Sequence, residues 1–519
     1  MAERPQYYKN TLEPLEVNAA SLAESLEELR TAVRYGAEAI HANETPQDKW
    51  PIGGMFKHFP GIILAFLRLD YQSSVLSEDD DSQSRYRQFA LDRLPLGFPD
   101  IPLLPSRLAP AGSFSPIAAV TLRVLSANAK SDWERSSKPI ISQQDITCLL
   151  DAANFALENG PLVPHDGRNM GGDEMLFGRA GLLWVLLNIR THQFGEETQR
   201  ALGPLFETIP KLVDVIIDSG RQCSKAYIEK NGAQDAHPLM YAWMEGHYCF
   251  GAVHGITGIL PIILSARPEE LTKHIDIIGE TITALCKLSL SIDGHLPMTL
   301  PPFSFGQASE LVQLCHGSPG ILILLAAALK NKSLTQNHWC PEWNQTIYEA
   351  SQRIWEEGLL SKGGSLCHGI SGNGWPWLML HNVFEYHSVE LEAARAAYMQ
   401  RSRLASSKED RSPELTSDFF LSRALAFMLH SRETRPYNKT NESSEKDYRM
   451  PDDPYSLFEG LAGNVCAWAE TCAVIQARLR KIELGEKGLD FESDLIFKQA
   501  MRSELGFPLI GGNGAGGLL

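Results

Sequence analysis

Leu314-Cys315-His316-Gly317-Ser318-Pro319-Gly320-Ile321-Leu322-Ile323-Leu324-Leu325 sets a small-residue turn immediately before an apolar helix. Its two glycines, three residues apart, recur along the chain. The same turn-then-helix pattern stands at Phe59-Pro60-Gly61, Gly178 to Gly181, Gly255 to Gly258, Gly369 to Gly372 and Gly460 to Gly463, with a degenerate copy at Gly112-Ser113-Phe114-Ser115. The last small residue of each gives anchors at 61, 115, 181, 258, 320, 372 and 463. Successive differences are 54, 66, 77, 62, 52 and 91 residues. Each interval holds one helical hairpin plus a loop, and recurrence at such a spacing reads as a repeat architecture.

The helices after the anchors are apolar nearly all round, which marks buried helices. The segments between them are amphipathic. Ile146, Leu149, Leu150, Ala153 and Leu157 form one stripe, and Ile275, Ile278, Ile282 and Leu285 another, both at helical spacing. Buried helices alternating with amphipathic ones predict an inner ring wrapped by an outer ring. The expected fold is therefore all-α, an α/α toroid of seven hairpins with about fourteen helices and little strand. Each anchor glycine is expected to allow close approach near the crowded ring axis, and the inner-helix N-termini to direct partial positive charge at a shared centre. The expected organisation is one domain over residues 1–519. Polar surface insertions are expected near 73–88, around Ser77 to Asp81, and near 402–454, which brackets a helix from Ser417 to Leu429.

Of the 519 residues, 44% are apolar, enough for a large core. The net charge of −16 argues against general nucleic-acid binding, which needs a basic face. The N-terminus shows no signal-peptide pattern, and no apolar run reaches a membrane span. Nine scattered cysteines do not read as a disulfide framework. A cytoplasmic protein is expected, with no transmembrane segment and with peripheral membrane contact left open.

Two anchors carry extra chemistry. Cys315-His316-Gly317 and Cys367-His368-Gly369 repeat one triplet 52 residues apart, on consecutive repeats. In a toroid both face the same centre. Two thiolates and one imidazole make a donor set that suits zinc and leaves a fourth position open. A thiol substrate bound there would be a soft nucleophile at neutral pH, able to add to an electron-poor alkene. The resulting enolate needs a proton. Acid–base candidates at or beside anchors are His254, His316, His58, Asp173, Glu174 and Glu459.

At these residues the chain resembles the lanthionine synthetase C-like family, in its eukaryotic branch. The resemblance runs from about residue 50 to 470. Its most specific pieces are Asp173 to Gly181, Pro238 to Trp243 with Gly251 to Gly258, Leu311 to Gly320, Gly358 to Gly372 and Pro454 to Gly463. The resemblance implies an α/α toroid with one zinc ion per chain, held by Cys315, Cys367 and His368. It implies His254 as catalytic histidine, Glu174 or its neighbour Asp173 as the acidic residue beside it, and Lys362 as a glutathione-binding residue, with His316 left as a further proton-transfer candidate. Val253 replaces the alanine of the family's A-H-G motif. Leu311 stands where the bacterial peptide cyclases carry an arginine. The implied activity is addition of glutathione, as co-substrate, to dehydroalanine or dehydrobutyrine residues of a peptide or protein.

Toroid glycosidases use two carboxylates and no zinc, which the paired C-H-G disfavours. Zinc prenyltransferases share the architecture but use an Asp-x-Cys ligand pattern absent here. A non-catalytic zinc- and glutathione-binding adaptor or sensor is the alternative of a different class.

Overall fold

A computed structural model describes residues 4–76, 80–127, 141–302, 311–402, 415–438 and 446–512. Fourteen helices alternate between two rings. The outer ones are α1 (Ala19–Asn43), α3 (Asp80–Leu91), α5 (Gln143–Glu158), α7 (Ile209–Asn231), α9 (Ile275–Leu290), α11 (Pro341–Glu357) and α13 (Ser417–His430). The inner ones are α2 (Phe59–Tyr71), α4 (Ile117–Ser126), α6 (Arg179–Thr191), α8 (Ile256–Leu264), α10 (Ser318–Lys330), α12 (Ile370–Tyr386) and α14 (Leu461–Glu486). Each inner helix packs on the next, and α14 packs back on α2, so the ring closes. The fold is an α/α toroid. Burial explains the layering: every residue of α10 from Ser318 to Leu329 is buried, whereas α7 buries one stripe of Leu212, Val213, Ile216, Ile217 and Gly220. No helix among the described residues is long and apolar enough to cross a membrane.

The anchor glycines have a more local cause than crowding at the ring axis. A Cβ on Gly61, Gly181, Gly258, Gly372 or Gly463 would come within 1.7–2.3 Å of the backbone oxygen six residues earlier, on Met55, Met175, Ala252, Leu366 and Leu457 respectively. Each turn folds back so that its own carbonyl lies against the first turn of the helix it introduces. Only glycine leaves room for that contact.

These lead-in turns are also tied to one another. The amide of Ala252 donates to the carbonyl of Leu314 (3.2 Å), Cys315 to Cys367 (3.3 Å), Cys367 to Phe458 (2.8 Å), Phe458 to Phe56 (3.0 Å), Phe56 to Ala111 (3.0 Å) and Gly112 to Leu176 (2.7 Å). In these six links each turn donates to the next one round the ring.

Between the third and fourth turns a five-stranded antiparallel sheet takes over, formed by β1 (Leu162–His165), β2 (Arg168–Gly171), β3 (Ala242–Met244), β4 (His247–Cys249) and β5 (Thr299–Leu300) in that order. The repeat pattern did not reveal it. Its signals were two two-residue hairpin loops, Asp166-Gly167 and Glu245-Gly246. Asp166 and Gly167 both have positive φ, as a type I′ turn requires.

Both stretches read as polar insertions contain ring helices. Tyr86, Phe89 and Ala90 of α3 are buried, as are Phe420, Leu421, Ala424 and Phe427 of α13. In α3 the hydrophobic face was outweighed by polar neighbours in the composition, whereas α13 matches the helix expected from Ser417 to Leu429. The acidic run lies partly, and Ser406 to Ser412 wholly, outside the described residues, as does the segment 439–445.

Candidate active site and metal centre

The lead-in turns meet at one mouth of the ring, around a cavity of about 440 Å³. It is lined by Phe56, Phe177, His254, Cys315, Lys362 and Glu459 among others. The toroid therefore brings together residues that the sequence spreads over more than 400 positions.

The two C-H-G triplets sit side by side, their backbones joined by the Cys315–Cys367 hydrogen bond. Ligand atoms of Cys315, Cys367 and His368 all lie within 4.8 Å of one another. That spread closes on one ion with small side-chain adjustment, given bonds of about 2.3 Å to sulfur and 2.0 Å to nitrogen. Both cysteines are buried and His368 is half-buried. The Gln313 side-chain amide donates to the Cys315 sulfur (3.1 Å). Hydrogen bonding from the Cys367 thiol holds the Cys315 thiol well below its ordinary range, with His368 acting in the same direction, while Cys367 is pushed up. A pair that stabilises thiolate on one sulfur, with an imidazole beside it, is a soft donor set suited to zinc. The other seven cysteines carry no such cluster among the described residues, and none is paired in a disulfide.

His254 also lines the cavity. Its Nδ1 is hydrogen-bonded to the Glu174 carboxylate, which is buried. Burial by itself would lower the His254 pKa. The Glu174 charge and the hydrogen bond outweigh it, and the imidazole lies above its ordinary value. The Trp243 ring stacks on His254 at 4.7 Å between centroids, 24° from parallel. Trp243 belongs to β3, so the small sheet helps fix the histidine. In the sequence Trp243 closes the Pro238 to Trp243 motif, with nothing there to mark this stacking.

The structure separates the two acidic candidates. Asp173 points away from the cavity into a buried ion pair with Arg179 (2.7 Å) and a hydrogen bond from Ser219. Arg179 also donates to the carbonyls of Asn159 (2.9 Å) and Gly160 (3.1 Å). Asp173 thus braces the start of α6 and does not reach His254, contrary to the expectation that admitted either residue; Glu174 is the carboxylate beside that imidazole.

His316 lines the cavity with its ring 6.3 Å from that of His254, and its buried Nδ1 has no hydrogen-bond partner among the described residues. Lys362 and His58 line the same cavity, and Glu459 does so paired to Lys57 (2.8 Å).

A family model described as lanthionine synthetase C-like protein matches residues 132–412. A relative named glutathione S-transferase LANCL1, from Danio rerio, is 26% identical over 66% of this chain and 68% of its own length. The LanC-like protein GCL1 of Arabidopsis thaliana is 25% identical over 62% of this chain. The match spans 60% of that protein. The solved structure of a nisin cyclase aligns over 88% of this chain and 98% of its own, at 12% identity and a TM-score of 0.35.

Proposed function

Because the chain belongs to the lanthionine synthetase C-like family, we propose that it adds the thiol of glutathione to dehydroalanine or dehydrobutyrine residues of peptides or proteins, with one zinc ion held by Cys315, Cys367 and His368. The observation that carries the reading is the shared cavity: the Cys315–Cys367–His368 cluster and the Glu174-bonded imidazole of His254 line one space. The name of the fish relative, a glutathione S-transferase, agrees with a thiol co-substrate.

Zinc bound by the cluster would favour the thiolate form of the substrate thiol at neutral pH. Gln313 steadies the Cys315 sulfur by its amide hydrogen bond. Thiolate addition forms a C–S bond at the β-carbon of the alkene and moves the π electrons towards the carbonyl. Glu174 holds Nδ1 of His254, which leaves Nε2 to exchange the proton. His254 delivers that proton to the α-carbon, and the proton released by the thiol restores it. No leaving group departs, so the product mass is the sum of the two substrates. Lys362, on the cavity wall, supplies positive charge for a carboxylate of glutathione. The proposal includes a single toroid domain over 1–519 and a cytoplasmic setting, where nine unpaired cysteines stay reduced.

Incubation of the purified protein with glutathione and a dehydroalanine peptide, with and without a zinc chelator, tests the reading by mass spectrometry. The expected result is an adduct that chelation abolishes. Glutathione binding without adduct formation would instead favour the non-catalytic adaptor.

A further inference from the structure

The residues from Ser503 to Gly512 are all buried, yet they lie outside every helix and strand of the fold. A buried loop is costly, because its backbone N–H and C=O groups need partners away from water. Here the inner helices supply those partners from polar side chains. Glu470 of α14 accepts from the amides of Leu505 (3.0 Å) and Gly506 (2.8 Å). Gln72, which caps α2, donates to the carbonyl of Ser503 (2.9 Å), and Arg68 of α2 donates to that of Gly506 (2.6 Å). Asn382 of α12 donates to the Glu504 carboxylate. Arg68, Gln72, Asn382 and Glu470 are themselves buried, and taking charge out of water is expensive. An apolar filler would need no such seat. Arg68, Gln72 and Asn382 come late in their helices, so the seat lies towards the end of the ring away from the lead-in turns.

Beyond the seat the chain closes a tight loop. The amide of Phe507 donates to the carbonyl of Gly511 (3.0 Å), and that of Gly511 donates back to Phe507 (2.7 Å). Leu509, inside the loop, is buried at φ 63°, in the left-handed region that bulky residues avoid. Strain held in place by its surroundings is a pointer to function rather than to packing alone. The loop directs the Phe507 ring back towards the lead-in turns. It lies 5.0 Å from Trp375 of α12 and 6.2 Å from Phe458, between centroids. Phe458 joins three things. Its ring stacks on Phe56 at 4.3 Å, 18° from parallel, and Phe56 lines the cavity. Its amide donates to Phe56, and its carbonyl accepts the amide of Cys367. The buried segment therefore reaches, through one residue, a wall of the cavity and the turn that carries Cys367 and His368.

We propose that Ser503 to Gly512 is an internal strut, with Phe507 as a positioning residue that packs under Phe458 and so fixes where the Cys367 turn stands relative to Cys315. The inference rests on the proposed zinc ligand set for what the two sulfurs hold, and not on the thiol-addition chemistry. Tetrahedral zinc requires its ligands at fixed spacing, so a small displacement of one turn weakens the site without removing a ligand. The polar seat sets the height of the strut, and the strained loop sets the direction of the ring at its tip.

The test compares Phe507→Ala and the milder Phe507→Leu with Phe420→Ala in the full chain. Phe420 is a buried phenylalanine of α13 packed 5.1 Å from Phe384, so its truncation destabilises the core away from Phe458. Two quantities are read. The first is amide hydrogen exchange, by mass spectrometry on metal-free protein, in the peptides that contain Cys367 and Phe458. Phe507→Ala should lose protection there, Phe507→Leu should lose part of it, and Phe420→Ala should lose none. The second is the zinc Kd, by competition with a chromophoric chelator. Phe507→Ala should weaken it about tenfold, the lower end for loss of a group that supports a ligand, and Phe420→Ala should leave it unchanged. Unchanged exchange in the Phe507 variants would overturn the strut, as would an unchanged zinc Kd or equal effects from Phe420→Ala. If Phe507→Ala does not fold, by circular dichroism, Phe507→Leu against Phe420→Ala decides alone. If the wild type binds no zinc but exchange at Cys367 responds to Phe507, the strut stands and the metal reading fails.

Discussion

Glu174 and His254 stand 80 residues apart in sequence, on the third and fourth lead-in turns, and their side chains close the gap between those turns. The hydrogen bond orients the imidazole, and the carboxylate raises its pKa against the effect of burial. On the proposed chemistry, a raised imidazole pKa favours the acid form that quenching an enolate needs.

Glu174→Gln should move the alkaline limb of the pH–rate profile to lower pH, because the acid form of His254 is then lost earlier. Stability should follow the same sign. A histidine whose folded pKa is raised contributes stabilisation that is complete below its unfolded value of about 6.5 and fades as pH rises through the folded value. The Tm difference between wild type and Glu174→Gln is therefore expected to be larger at acid than at alkaline pH. A constant difference would show that the carboxylate acts by packing alone.

His254→Asn should keep zinc, by elemental analysis, and keep the fold. General acid–base help contributes about 10²–10⁴-fold, so adduct formation should slow by roughly that factor. An unchanged rate would shift proton transfer to His316 or water.

Cys315→Ala should drop zinc content from about one ion per chain to little or none, because a three-ligand site loses one of its two thiolates. Cys466→Ala, at a cysteine buried in α14 and outside the cluster, serves as the comparison and should retain the metal. Full stoichiometry in the Cys315 variant would contradict the ligand set.

Gly258→Ala places a methyl group 1.7 Å from the Ala252 carbonyl oxygen, which only backbone movement relieves. A loss of about 3 kcal/mol or more is expected, at or beyond the upper end of overpacking costs. Gly203→Ala, in the helix Glu196–Phe206 with open space around it, should instead stabilise by about 0.4–1 kcal/mol. Thermal unfolding of the two variants gives opposite signs.

The ring was legible because its signal is local. At Gly61, Gly181, Gly258, Gly372 and Gly463 the glycine meets a carbonyl six residues back, so the requirement is written into a short stretch and recurs in most of the hairpins. The cluster was legible for a related reason, since equivalent positions on consecutive repeats become neighbours in a closed ring. The sheet was harder to read, because its strands are two to four residues long and Met170 pairs with Met244, far away in sequence. The choice between Asp173 and Glu174 was not readable at all. Adjacent side chains on a turn diverge, one towards Arg179 and one towards His254, and only the packed ring shows which is which.

The backbone hydrogen bonds passed from turn to turn make the floor of the cavity a hoop, with the Cys315–Cys367 contact as one of its links. The spacing of the two sulfurs is then set by a circuit through all seven hairpins, and a load on any one turn is shared by the rest. At one joint the hoop is fastened by a clasp that carries a proton. An imidazolium grips a carboxylate more firmly than a neutral ring does. On the proposed chemistry, the step that hands the proton to the product slackens the hoop beside that product, and recharging His254 draws it tight for the next substrate.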